Sequence, residues 1–420
     1  MAQETLTTFS NYMKTKFGKV STNVYNTATP LLMRINREHN FVGEDEKAPV
    51  PTGYEGGVGS GSLPTAGKSN AEKYTITTKK IYARVEIARQ LMKQASKKEG
   101  SFVKALGHKM GKGVESYVRN TSRMLFNDGT GSLSVGSASA ANVTGAGTTG
   151  DPYLVELKME NSTTSPVVGN KRASLEKRDL INVNSETTDL EITDVAIASD
   201  KDITLTLVGT SSRLATLATA NPFGAADTLH MQGSKDNDTE GLKGVLDATS
   251  GTKYGVTIST GNRWQAFQKA VTSSISEDLI LEMLLGVNEQ SGQNTDMIVT
   301  SFKQWRKLSN QLEDKKEVQI SPRFGSEKLK AKVGFNAISV KSPFNKDVPI
   351  VIDRFCEEDR MYFLNTKQII LKHAPDHGWF DEDGTIFMRV TDDDAYEARY
   401  GGYKEFFIIP SFQGVLTGLT

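Results

Sequence analysis

Between residues 101 and 127, side chains at Phe102, Leu106, Met110, Val114, Val118, Thr121 and Leu125 recur at helical spacing and draw one stripe along a single long helix. Ser101 after Gly100 offers an N-cap, and Asn127-Asp128-Gly129 tolerate the left-handed turn of a helix stop. At about 1.5 Å per residue such a helix is roughly 40 Å long, enough to cross a domain. Gly107, Gly111 and Gly113 each weaken it by about 1 kcal/mol relative to alanine, so packing along the stripe must hold it straight. The expectation is a strut with something flat laid against it.

The parts on either side of the strut differ in kind. Residues 1–36 form a polar arm with a helical patch (Leu6, Phe9, Met13, Phe17) and an apolar cluster at Leu31, Leu32, Met33 and Ile35. From Phe41 to Ala71, Pro49, Pro51 and Pro64 stand among many glycines, which forbids a helix and gives a looped excursion. Tyr74, Ile76 and Thr78, then Ile81, Ala83, Val85 and Ile87, alternate like a returning strand. The two limbs make a long flap that is marginal alone and is expected to lie on a neighbouring molecule.

After the strut, residues 132–238 are dominated by Gly, Ser, Ala and Thr; helices are expected to vanish, and strands are expected over 153–159, 190–197 and 203–208. Beyond Gly241 an α/β pattern is expected, with helices over 263–272, 277–290 and 302–312 and strands over 297–300, 337–341, 350–352 and 362–364. The tail, 368–419, reads mostly as strand and would supply the sheet under the strut.

Composition narrows the class. The chain of 420 residues is 37% hydrophobic and 24% charged, an ordinary globular balance for two or three domains. No stretch approaches the roughly 20 apolar residues of a membrane span, and the first residues lack the apolar run of a secretory signal, so the protein is expected to stay in the cytoplasm. A single cysteine, Cys356, excludes an internal disulfide framework and a cysteine-rich zinc site. Net charge is zero but unevenly spread. Residues 73–123 hold 13 Lys or Arg against 3 Glu, a balance of +10, whereas 376–397 hold 8 acids against Arg389, a balance of −7. Such blocks are either solvated faces or complementary surfaces between copies of one chain.

The search for chemistry is negative. Gly61-Ser-Leu-Pro-Thr-Ala-Gly-Lys-Ser69 ends like a phosphate-binding loop, but Ser62 stands where the first glycine belongs and a strand, not a helix, follows. The five histidines include no His-Glu-x-x-His pair; His373, Asp376, His377 and Asp381 read as a polar turn. Asp392-Asp-Asp394 lacks the ligand spacing and glycine of a calcium loop and reads as a solvated acidic turn. Cys356 reads as a buried thiol. No catalytic, cofactor or metal residue is assigned, and the chain is not expected to be an enzyme.

What remains is an order of parts: arm, flap, strut, β insertion, α/β domain, strand-rich tail. That order, with Met124-Leu-Phe-Asn-Asp-Gly-Thr-Gly131, Glu240-Gly-Leu-Lys-Gly-Val-Leu-Asp247, Asp296-Met-Ile-Val-Thr300, Val348-Pro-Ile-Val-Ile-Asp353, Met361-Tyr-Phe-Leu-Asn-Thr366, Trp379-Phe-Asp-Glu-Asp-Gly384 and Asp394-Ala-Tyr-Glu397, resembles the tailed-bacteriophage major capsid proteins of the Hong Kong 97-like fold. The resemblance spans nearly the whole chain outside the insertion. It implies an α+β fold with an amino-terminal arm (1–40), an extended loop (41–90), and a peripheral domain holding the spine helix (91–131). A β-rich insertion (132–238) follows, then a peripheral return (239–249), an axial α/β domain (250–365) and peripheral strands (366–420).

Implied with the fold are a homo-oligomer of pentamers and hexamers in an icosahedral virion shell, assembled in the host cytoplasm. Packaged double-stranded DNA held without sequence specificity, a portal and, at the surface, a decoration protein belong to the same picture. A separate scaffolding protein is expected because the arm starts at Met1 with no charged helical segment before it. An encapsulin-like bacterial compartment is the alternative within the fold, and a β-rich surface-binding protein is the alternative from another class. The charge blocks suggest that Lys79, Lys80 and Arg84 meet Asp381, Asp383, Asp392, Asp393 and Asp394 of a neighbouring copy.

Overall fold

The computed structural model describes residues 30–39, 41, 45–51, 71–90, 99–135, 143–158, 168–198, 202–219, 227–258, 264–311, 338–344, 347–380, 386–391 and 393–420. The strut is the helix Glu99–Phe126. It starts two residues before Ser101, which therefore lies inside the first turn rather than capping it. In the second half of the helix Tyr117, Thr121, Met124, Leu125 and Phe126 are buried. A Cβ at Gly113 would stand 3.0 Å from Val85 Cγ2 and 3.8 Å from Trp379, so this glycine lets the helix settle onto the sheet. Packing offsets the propensity lost there.

That sheet has five strands. Asn36–Glu38 runs parallel to Ile369–Trp379, which pairs antiparallel with Ala395–Ile408; Lys79–Ala88 and Met388–Arg389 also pair with this long tail strand. Leu31, Leu32, Leu371, Phe406 and Ile408 join the helix in the main core. The returning limb expected as one strand is two. Its apolar phase moves from even positions (Tyr74, Ile76) to odd ones (Ile81, Val85) across Thr78, and the structure breaks there. Ala71–Thr77 pairs with Asp45–Pro51 as the base of the flap, while Lys79–Ala88 enters the five-stranded sheet.

Within 132–231 the chain builds a seven-stranded antiparallel sheet in the order Ser132–Val135, Thr228–Met231, Leu180–Val183, Leu190–Ile197, Ile203–Val208, Tyr153–Leu157, Val143–Thr144. Alternate residues, among them Tyr153, Val155, Leu205 and Leu207, form a core of their own. Helices do not vanish here: Ser212–Thr219 is an α-helix that buries Leu214 and Leu217, and Gly169–Ser174 is a 3-10 turn. The Glu186 carboxylate accepts the Arg213 N–H at 2.9 Å, a cap reached from 27 residues away that local pattern could not show. At the entry, Gly131 has φ +74, and a Cβ there would stand 2.1 Å from the Ser234 carbonyl oxygen, so only glycine fits.

The third sheet has six strands in the order Phe267–Ala270, Gly414–Thr417, Met361–Leu364, Met297–Thr300, Asp347–Ile352, Ile338–Lys341, with its first pair and the Met297–Thr300/Asp347–Ile352 pair parallel. The helix Glu277–Ser291 packs on it, capped by Ser276 Oγ accepting from Leu279 N at 3.2 Å. A second helix is Phe302–Gln311. The helix expected over 263–272 is the strand Phe267–Ala270. Trp264, Phe267 and Val271 have helical spacing, but tertiary packing overrides it: the Phe267 ring sits against Gly286, where a Cβ would come within 2.2 Å of Cζ. The last strand, Gly414–Thr417, likewise belongs to this sheet and not to the one under the strut.

Candidate assembly interface

The return strand Lys79–Ala88 turns Ile81, Val85 and Ile87 inward, where they are buried, and places Lys80, Tyr82, Arg84 and Glu86 on the other face. Tyr82 is 46% exposed and meets the rings of Phe380 and Tyr403 edge-on at 5.8 and 6.4 Å. Burial and a hydrogen bond with Tyr403 push its phenol up to about 12. Arg84 is paired within its own chain: Nε lies 2.5 Å from Glu397 Oε2 and Nη2 lies 3.2 Å from Glu86 Oε2. Arg399 holds the other oxygen of the buried Glu397 carboxylate. Arg89 reaches Asp394 at 3.4 Å, and Lys79 Nζ donates to the Asp236 carbonyl at 3.3 Å. Part of the basic block thus meets part of the acidic block inside one subunit. Lys80, Asp393 and Asp394 are exposed. Asp381, Asp383 and Asp392 lie outside the described residues, as do 53–67 at the flap tip and the phosphate-loop look-alike 61–69.

The far end of the basic block is not a surface. Arg119 is buried with Nη1 2.5 Å from Glu176 and Nη2 3.1 Å from Asp179. Burial works against its charge, yet the two carboxylates outweigh it and the guanidinium is held above its ordinary value. Arg123, one turn on, lies 2.7 Å from Asp238 and donates to Ser234 Oγ at 3.0 Å. Both arginines bind the seven-stranded sheet region to the spine helix. A second group joins that region to the third sheet: Arg354 Nη2 donates to the Ala173 carbonyl at 3.3 Å and Asn170 to the Cys356 carbonyl, beside Lys171, whose Nζ donates to the Ser132 carbonyl at 2.8 Å within the region itself. Lys243 meets Glu357 at 2.8 Å, and Arg360 meets Asp247 at 2.5 Å. Burial, with Lys243 nearby, brings the Lys171 amine down to about 8. The i, i+4 spacing of Arg119 and Arg123 was visible in the sequence, but acids 60 and 115 residues downstream were not assignable to them.

The flap is anchored at its base. Ile76 is fully buried in a small core with Val256, Trp264 and Phe407, and Tyr74 stacks 4.6 Å from Phe407. Lys372 ties Glu38 and Glu46 at 2.5 and 2.9 Å. The base of the flap therefore packs on its own subunit, while 53–67, expected to lie on a neighbouring copy, falls outside the described residues. His373 is not in a polar turn: it is buried in the strand Ile369–Trp379, its ring 3.9 Å from that of His39. Among the described residues no group of three or more His, Cys, Asp and Glu could hold a metal ion, and no helix is long and apolar enough to cross a membrane. Large apolar side chains stand exposed at Met33, Ile197, Leu285, Phe302 and Phe344.

A long helix across a sheet, a two-stranded excursion before it and a separate mixed sheet closed by the tail make up the described architecture. The chain superposes on the capsid subunit of cyanophage A-1(L) with a TM-score of 0.53 at 12% identity, covering 97% of both chains. Weaker likenesses are to the capsid of a native GTA particle (TM-score 0.46, 7% identity, 97% of this chain and 95% of that one) and to the SrpI encapsulin complex from Synechococcus elongatus (TM-score 0.45, 7% identity, 98% and 94%). The fold is the Hong Kong 97-like capsid fold. No curated protein matches the sequence. Residues 223–384, which include most of the third sheet, match the family model of the SU10 major capsid protein.

Proposed function

We propose that this chain assembles as pentamers and hexamers into an icosahedral shell that encloses double-stranded DNA. The observation that carries the reading is the capsid-family match over 223–384 within a chain whose whole fold is that of a phage capsid subunit. In this reading 91–131, 239–249 and 366–420 form the peripheral domain, 250–365 the axial domain, 132–238 an insertion, and 1–40 and 41–90 the arm and extended loop that lie across neighbours. As a shell protein the subunit needs no catalytic centre, cofactor or metal for this role. It assembles in the host cytoplasm with a separate scaffolding protein and a portal, holds DNA without sequence specificity, and can carry a decoration protein.

Contact between copies is partly electrostatic, with Lys79 and Lys80 facing Asp381, Asp383, Asp392 or Asp393 of a neighbour. Arg84 and Asp394 have charged partners in their own chain and contribute less; Lys79 donates to the uncharged Asp236 carbonyl at 3.3 Å, which leaves its charge unneutralised. Exposed pairs add only about 0 to 1 kcal/mol each and are screened over roughly 8 Å at physiological salt, so they set register while apolar burial supplies cohesion. The test is to express the chain with its scaffolding protein, with Lys79 and Lys80 native or both changed to Glu. Native particles should be closed shells that package DNA, and the changed chain should give misformed shells even without DNA. Normal empty shells with failed packaging would move the two lysines to the DNA-facing surface, and shells that enclose protein cargo instead of DNA would contradict the viral reading.

A further inference from the structure

Thr252–Lys253 and Val256–Thr257 form a short antiparallel hairpin that turns through Tyr254 and Gly255, whose φ angles are 51° and 79°. A two-residue turn with positive φ at both positions usually takes Asn-Gly or Asp-Gly. Tyrosine is a poor residue for it, because a bulky side chain at positive φ is held against its own backbone preference. Strain of that sort persists only where surrounding contacts over-determine it, and it gathers at clamps and switch regions. The contacts of Tyr254 are those of a clamp.

The Tyr254 hydroxyl donates to the Phe406 carbonyl in the tail strand at 2.7 Å, and its ring meets that of Phe407 edge-on at 5.3 Å. Its own carbonyl accepts the Thr75 N–H at 2.7 Å, on the edge of Ala71–Thr77 that Asp45–Pro51 does not occupy. Further along the hairpin, Thr257 N–H donates to Glu72 Oε2 at 2.7 Å. Between these two bonds Gly255 passes close over the flap backbone, where a Cβ would stand 3.4 Å from the Lys73 carbonyl oxygen. The other side of the hairpin is tied to the segment returning from the insertion. Lys253 Nζ lies 3.0 and 2.9 Å from the two carboxylate oxygens of Glu240, whose N–H donates to Glu405 at 2.7 Å. One hairpin thus links the flap, the tail strand and the peripheral return.

We infer that this hairpin is the clasp that sets the direction in which the flap leaves the subunit, with Tyr254 as its positioning residue. Ile76 and Tyr74 hold the flap base by apolar contact with Phe407 and its neighbours, but such contact is non-directional. Hydrogen bonds constrain angles as well as distances, so the two bonds from the hairpin fix how Ala71–Thr77 lies against the tail strand. The strained turn is kept because tyrosine alone supplies both the ring that packs on Phe407 and the hydroxyl that reaches the Phe406 carbonyl. The clasp is a property of the single subunit. Its consequence, that a wrongly directed flap misses the neighbouring copy, rests on the shell reading above.

Spin labels on Ala71→Cys and Lys112→Cys, both at exposed positions, read the flap against the helix Glu99–Phe126 in the unassembled subunit, and the buried Cys356 does not compete for label. With Tyr254 native, double electron–electron resonance should give one narrow distance distribution. Tyr254→Asn suits the turn but loses the ring and the hydroxyl bond. It should displace or broaden the distribution and speed exchange of the Thr75 amide by on the order of 10-fold or more. Tyr254→Phe keeps the ring and should change both readouts less. Glu72→Ala removes the second bond from the flap side and should broaden the distribution too, which decides the matter if Tyr254→Asn does not fold. A native distance distribution in the folded variants, with Thr75 still protected in Tyr254→Asn, would overturn the clasp. With the scaffolding protein present, unlabelled subunits carrying the loosened flap should lose most of their closed shells, and normal closure would overturn the clasp's part in assembly. Failure of the unsubstituted chain to form shells would instead overturn the shell reading, while the distance measurement still decides the clasp.

Discussion

Asp353 ends the strand Asp347–Ile352 with its carboxyl buried: one oxygen accepts from Phe355 N–H at 3.0 Å and the other has no hydrogen-bond partner among the described residues. Burial lifts its pKa to about 6, although the Phe355 bond pulls the other way. A carboxyl raised in the folded state favours folding where it is protonated and loses that contribution as pH rises from about 4 through 6. Asp353→Asn should therefore stabilise the subunit at pH 8 by about 1 to 3 kcal/mol in a urea melt and by almost nothing at pH 4. Arg123 presents the opposite case, a buried cation with its partner. Arg123→Met should cost about 3 to 5 kcal/mol by leaving Asp238 buried and unpaired, and Arg123→Met with Asp238→Leu should recover much of it in the same melt. The sequence showed Arg123 as one charge in a basic block. Its burial depends on Asp238 arriving through the seven-stranded region, a contact between positions 115 apart that periodicity does not carry.

At the scale of elements, what could be read locally was read well. The strands Leu190–Ile197, Ile203–Val208 and Met297–Thr300 have the expected bounds, because one alternates apolar side chains cleanly, another does so over its first half and the third is a short apolar run between polar turns. The strand Phe267–Ala270 was misread because its partners, Gly286 and the tail strand Gly414–Thr417, lie far along the chain. That contact is testable. Gly286→Ala should destabilise by about 1 to 3 kcal/mol through overlap with the Phe267 ring, and adding Phe267→Leu should relieve part of the loss, as judged from paired thermal melts. The flap separates into base and tip. Ile76 and Tyr74 hold the base to its own core, so deleting 53–67 should leave a monomer with an unchanged melting temperature that closes no shells. Loss of cooperative unfolding in that deletion would place the tip in the subunit core.

For the whole molecule, the order of parts was legible because each has its own local signature: glycine and proline in the flap, a stripe in the strut, alternation in the insertion, α/β periodicity afterwards. What joins the parts was not legible. Arg354 with Ala173, Asn170 with the Cys356 carbonyl, and Arg119 with Glu176 and Asp179 are polar contacts across long sequence separations, and they fix the seven-stranded region to the third sheet region and to the spine helix. The claim on which everything else depends is that many copies of this subunit close into a shell. Electron cryo-microscopy of the particles formed by the full chain with its scaffolding protein tests it most directly. The account predicts closed icosahedral shells with five- and six-fold capsomers, each subunit showing the helix Glu99–Phe126 lying on the five-stranded sheet. A chain that remains monomeric at every concentration and salt tried, with that helix and sheet intact, would contradict it.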